Sequence, residues 1–198
     1  MGRGSVLGRS GRFCAALVLA TLAACATPTP TAAPTGAVDP APVLLQPAVL
    51  LPDQPVPAPT GPTVLAVTGR IGVTNGDGAL SLDEETLDAL GRLRLTVYEP
   101  WVKQTLNFQG VWLGDLLRVA HPDPGAQTLH ITALDDYQVE LPIADVLAGG
   151  VLLATRDGDG HPIPVEDGGP TRIVFVEGVP SGASADQWIW SLATIDVR

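Results

Sequence analysis

The sequence predicts an α+β domain over residues 63–198, a mixed sheet or squashed β-barrel with a few short helices. Three observations carry this expectation. Apolar residues after position 63 fall mostly in short alternating or continuous runs, the pattern of strands. Only three stretches show helical spacing, and each is brief. The 136 residues of this region are enough for one domain with a sizeable core.

The chain opens with an export segment, residues 1–24. Arg3, Arg9 and Arg12 precede and flank an apolar stretch from Phe13 to Leu22. That stretch is far short of the roughly 20 residues a membrane-spanning helix needs, and it fits the apolar region of a secretory signal. It ends in Leu22-Ala23-Ala24-Cys25. A small-residue pair directly before Cys resembles the lipobox of bacterial lipoproteins. The resemblance implies cleavage before Cys25, a diacylglyceryl group on its thiol and an acyl chain such as palmitate on the new amino terminus. Two or more chains anchor a protein stably where one does not. The expected location is therefore the bacterial cell envelope, with Cys25 holding the protein to a membrane on its periplasmic or extracellular face. The alternative is an ordinary export signal cut near Ala24 or Ala26.

Residues 25–62 read as the lipidated Cys followed by a tether. Between Ala26 and Pro62, 11 of 37 residues are Pro. Proline fixes φ and lacks a donor, which disfavours helices and central strands and favours a semi-extended polyproline character. Two aliphatic patches, Val43-Leu44-Leu45 and Val49-Leu50-Leu51, interrupt it. Either they are incidental or they dock on the domain or on a partner.

Within the domain, Val64 to Thr68 alternates as a strand, and Asn75-Gly76-Asp77-Gly78 marks a turn. Ser81-Leu82-Asp83-Glu84 matches a capping box and predicts a short helix to Gly91. Leu93, Leu95 and Val97 predict a strand; Trp112, Leu113, Leu116, Leu117 and Ala120 predict a helix stopped by Pro122. Thr128–Ala133 and Tyr137–Leu141 read as a hairpin joined by Leu134-Asp135-Asp136. Pro142 opens a brief helix, Val151 to Thr155 is a strand, and Asp157 to Gly160 a turn. Ile173 to Val176 is a buried strand, and Trp188 to Val197 closes the chain as the last one.

Composition narrows the chemistry. Of the two cysteines, Cys14 lies in the export segment and Cys25 directly follows it, so the domain has neither a disulfide nor a thiolate. Eight of the 11 Lys and Arg, and all 21 Asp and Glu, lie beyond Cys25, giving a mature formal charge of about −13 against −10 for the precursor. Nucleic acid is a poor partner for such a chain.

Several motifs, in order, resemble the sulfite oxidase-type, molybdopterin-binding oxidoreductase domain. They are Phe108-Gln109-Gly110-Val111-Trp112-Leu113-Gly114-Asp115-Leu116-Leu117, Thr132 to Tyr137 with Leu141-Pro142, and Leu152-Leu153-Ala154 with His161-Pro162-Ile163-Pro164. Gly169-Pro170-Thr171-Arg172-Ile173-Val174 and Trp190 follow. Active members of that family hold molybdenum through the pterin's dithiolene sulfurs and a protein Cys thiolate, a soft ligand suited to the metal. The resemblance places that Cys near Val97 or Tyr98, and neither side chain supplies a thiolate. Basic residues for an anionic cofactor are few. The export segment has Arg9 and Arg12 but no adjacent arginine pair of the kind that resembles a twin-arginine signal for folded cargo.

Other chemistry is weaker. Asp157-Gly158-Asp159-Gly160 lacks the remaining ligand positions of a calcium loop. His121, His130 and His161 lack metal spacing, and no Gly-x-Ser-x-Gly occurs. The resemblance brings Glu99, Trp101, Asp136, Tyr137 and Arg172 around one pocket, where a strand-end acid and turn-bonding acids are the plainer account of Glu99 and Asp136. Two readings follow. One is a ligand- or envelope-partner-binding module without cofactor. The alternative is a molybdopterin-dependent oxidoreductase that holds its metal through non-thiolate contacts.

Overall fold

The computed structural model describes residues 41–198; the expected export segment, residues 1–24, and the expected lipidation at Cys25 lie outside them. In chain order the principal elements are β1 (Val43–Leu44), β2 (Leu65–Gly69), β3 (Leu80–Leu82), α1 (Glu84–Asp88), β4 (Leu93–Glu99), β5 (Gln104–Trp112) and α2 (Leu113–Ala120). Then come β6 (Thr128–Ala133), β7 (Gln138–Pro142), α3 (Ile143–Ala148), β8 (Val151–Asp157), β9 (Arg172–Phe175) and β10 (Leu192–Val197). The fold is α+β. Its strands form two five-stranded sheets rather than one closed barrel, in the orders β1-β4-β5-β8-β9 and β3-β2-β10-β6-β7. The first is antiparallel throughout, and the second is mixed because β10 runs parallel to β2.

Alternation decides which side chains enter the core. In β4, Leu93, Leu95, Val97 and Glu99 point inward, while Arg94 and Tyr98 are exposed. The aliphatic face of α2 (Leu113, Leu116, Leu117 and Ala120) is fully buried. Gly110 lets β5 lie close on β8, because a Cβ there would meet the Leu153 carbonyl oxygen.

Three local expectations change. Ser81 does not cap a helix: Leu80 and Leu82 are both buried, so Ser81 sits in β3, paired with β2. The cap is Asp83, whose Oδ1 accepts from the Thr86 backbone N–H at 2.9 Å. The chain between Lys103 and Trp112, given no element from its sequence, forms the longest strand, β5. The final strand starts at Leu192, and Trp188 to Ser191 form an irregular connection before it.

The boundary at residue 63 also moves. Val43 and Leu44 pair with β4, and the Leu45 and Gln46 N–H groups donate to the Arg92 carbonyl at 2.9 Å. Val49 and Leu50 donate to the Ala89 carbonyl, and Leu50 and Val56 are buried in the core. Asp83 Oδ2 accepts from the backbone of Thr60 and Gly61. Residues 43–61 are thus a strap on the domain, while Leu44 and Val49 remain exposed. Proline does not prevent this, because an edge strand and isolated backbone donors suffice to dock an extended segment.

Candidate functional site

Glu99 ends β4 on its inward face, completely buried. Its Oε1 accepts from Arg172 Nη2 at 2.7 Å and from Trp190 Nε1 at 3.3 Å, and its Oε2 accepts from the Val102 backbone N–H at 2.7 Å. Both oxygens are therefore committed to the protein. Arg172 opens β9 and is itself 3% exposed. Its guanidinium lies between two rings, 4.9 Å from the centre of Phe108 and 4.3 Å from that of Trp190. Its Nη1 donates to the Asp167 carbonyl at 3.3 Å, and its buried Nε has no partner. Burial pulls the Arg172 pKa below its ordinary value, and the Glu99 charge opposes that.

Backbone bonds hold this assembly in place. Ile173 N–H donates to the Ile189 carbonyl, Leu192 N–H to Thr171, and Ser191 N–H to Gly168. These bonds set the Trp190 indole on Arg172. Gly168 has φ +88°, and a Cβ there would come within 2.9 Å of the Trp190 ring, so glycine makes the approach possible.

Trp190 lines two clefts. One, of about 650 Å³, includes Arg94 and Arg172 but also Asp157, Asp159, Glu166 and Asp167. The other, of about 290 Å³, is formed by Trp101, Asp135, Tyr137, Trp188, Ile189 and Trp190.

Of the five residues expected around one pocket, Glu99 and Arg172 meet, but as a closed ion pair. Trp101 and Tyr137 meet in the smaller cleft. Asp136 lines neither cleft. It is the left-handed residue of the hairpin turn, at φ 66°, and the residue before it, Asp135, faces the cleft instead. Sequence reasoning missed Trp188, singled out Asp135 in the hairpin turn without placing it in the pocket, and gave Trp190 no role in a pocket. The alternation Trp188-Ile189-Trp190 was the available signal. Asp157, Asp159 and His161 do cluster, with ligand atoms within 4.8 Å of one another. Asp157 Oδ1, however, accepts from the backbone of Asp159 and His161, which accounts for the cluster as turn bonding.

The family profile described as the oxidoreductase molybdopterin binding domain matches residues 88–197, more than half the chain. The chain belongs to this family. Among solved structures, it is similar to the sulfane dehydrogenase SoxCD from Paracoccus pantotrophus, with a TM-score of 0.52 and 20% identity. The match covers 67% of this chain and 37% of that one, so the chain spans little more than a third of its length. At that identity the likeness shows the fold. No curated protein matches significantly.

The residues present do not fit the family's cofactor. Val97, one of the two positions where the resemblance places a thiolate, is 1% exposed in the apolar core, and Tyr98 projects outward. The nearest inward acid, Glu99, has both oxygens bonded within the protein. In the larger cleft four carboxylates outnumber two guanidinium groups, and one of those is neutralised by Glu99. An anionic pterin phosphate would meet repulsion there.

Proposed function

We propose that this protein is a lipid-anchored envelope protein whose molybdopterin-binding-type domain serves as a ligand- or partner-binding module without molybdenum. The observation that carries the reading is the buried Glu99–Arg172 pair. It fills the end of β4, beside the expected metal ligand, with a buried salt bridge in which both Glu99 oxygens are bonded within the protein and Arg172 Nε alone lacks a partner. A buried ion pair missing one partner is strongly unfavourable, so neither group is free to serve an added anionic cofactor. The acidic lining of the adjoining cleft supports the same conclusion.

The anchoring half rests on Leu22-Ala23-Ala24-Cys25. With the strap docked from Val43, only residues 26–42 separate the lipid from the domain, and these reach at most about 60 Å when fully extended. The domain then works close to its membrane, facing ligands or envelope proteins at that surface. Molybdenum content of protein recovered from its native envelope tests the cofactor half. The expected value is far below one atom per chain.

A further inference from the structure

The chain has four tryptophans and two tyrosines. Three of those tryptophans and one tyrosine line the single cleft of about 290 Å³. Trp101 and Tyr137 leave about half their surface in water, although aromatic rings are strongly favoured in contact. The polar groups of three of the four rings are already taken. Trp188 Nε1 donates to the Gly182 carbonyl at 3.1 Å, Trp190 Nε1 to Glu99, and Tyr137 Oη to the Asp186 carbonyl at 3.0 Å. Trp188 is also braced by Phe175, with ring centres 5.6 Å apart. Three rings are thus fixed before any ligand arrives, which reduces the entropy lost on binding. The fourth, Trp101, sits on the turn after β4 and is half exposed.

What remains for a ligand is aromatic surface and one carboxylate. Asp135 uses Oδ1 to accept from the Tyr137 backbone N–H at 3.1 Å, and it stays exposed at the cleft. No Lys, Arg or His lines the cleft. A sugar or a neutral polar molecule needs several donors and acceptors, whereas the polar atoms of Tyr137, Trp188 and Trp190 are committed elsewhere and only Asp135 and the Trp101 indole N–H remain. A cation without strong donors is satisfied by ring faces and a single counter-charge. The acidic surplus of the chain attracts cations further.

We propose that this cleft binds a small organic cation of the alkylammonium class, held against Trp101, Tyr137, Trp188 and Trp190 with Asp135 as its counter-ion. The assignment rests on the reading of the domain as a binding module, and it names the ligand chemistry of that module.

The full lipidated chain, kept in a choline-free non-ionic detergent, is titrated with choline and with its uncharged isostere 3,3-dimethylbutanol. Tryptophan fluorescence and calorimetry follow binding, and molybdenum is measured on the same preparation. Saturable choline binding is expected, at least about tenfold tighter than the isostere and weakened about tenfold by Trp101→Ala and by Asp135→Asn. Trp101 and Asp135 are exposed, so unchanged melting temperatures show that neither loss is unfolding. Equal binding of the isostere, or no saturable binding of choline, overturns the assignment. The metal measurement separates the two failures. A metal-free protein that ignores choline sinks the cleft alone, whereas a molybdenum-loaded protein that binds choline sinks the cofactor-free reading alone.

Discussion

Glu99 and Arg172 are joined by a buried 2.7 Å ion pair that links the end of β4 to the start of β9 across 73 residues of chain. Both side chains are nearly inaccessible to water, and Trp190 contacts both, stacking on one and donating to the other. Removing one partner leaves the other charge buried. Glu99→Gln should therefore destabilise the domain by about 3–5 kcal/mol. Combining Glu99→Leu with Arg172→Met should recover much of the loss, because no unpaired charge remains. Denaturant unfolding of the single and double variants measures this, and a single-variant loss below about 1 kcal/mol would mean the pair is solvated.

The strap predicts where proteases cut. Cleavage should spare residues 43–61 and leave a stable fragment that begins before Val43, as mass spectrometry of a limited digest would reveal. A chain starting at Thr63 loses Leu50 and Val56 from the core. Each contributes about 1.5–3 kcal/mol when fully buried, offset in part by the entropy of ordering the strap. A truncated domain of undiminished stability would refute the docking.

Asp83 ties the strap to α1 and should make the domain acid-sensitive. Hydrogen bonds from Thr86, Gly61 and Thr60 hold its pKa well below the ordinary carboxylate range, with the Thr86 side chain the largest cause. The folded state thus prefers the ionised form. Its stabilisation is complete above the unfolded pKa of about 3.9 and declines as pH falls below it. Asp83→Asn, which turns an amide donor toward backbone N–H groups, should lower stability at neutral pH and flatten this acid limb. Urea titrations between about pH 2 and 6, spanning that range, would show it. An unaltered acid limb in the variant would assign the sensitivity to other groups.

Much of the architecture was legible because it follows periodicity. The alternation in β4, the helical spacing of α2 and the β6–β7 hairpin all place apolar residues on one buried face. β5 was missed because its first half is exposed and polar, and its buried half merges with the start of α2. The strap was ambiguous because proline density speaks to local conformation, whereas docking depends on the β4 edge and on pockets for Leu50 and Val56. The site was half legible. Glu99 and Arg172 were found, but their mutual neutralisation depends on a contact 73 residues apart. Of the aromatic cleft, Trp101 and Tyr137 were named, but Trp188 and Trp190 escaped because its members come from three separate connections.

Anchoring is tested at its own residue. Cys25→Ser should abolish lipid attachment and leave either unprocessed precursor or a soluble form, seen by fractionation and metabolic labelling with a fatty acid. A variant that still carries covalent lipid would contradict attachment through Cys25.

On our proposal, this member of a molybdopterin-binding family works without the metal. Elemental analysis of the natively exported protein tests it most directly. No stoichiometric molybdenum and no pterin are expected. About one molybdenum per chain, lost on Arg172→Ala or Glu99→Ala in a variant that remains folded, would contradict it and make the protein an oxidoreductase.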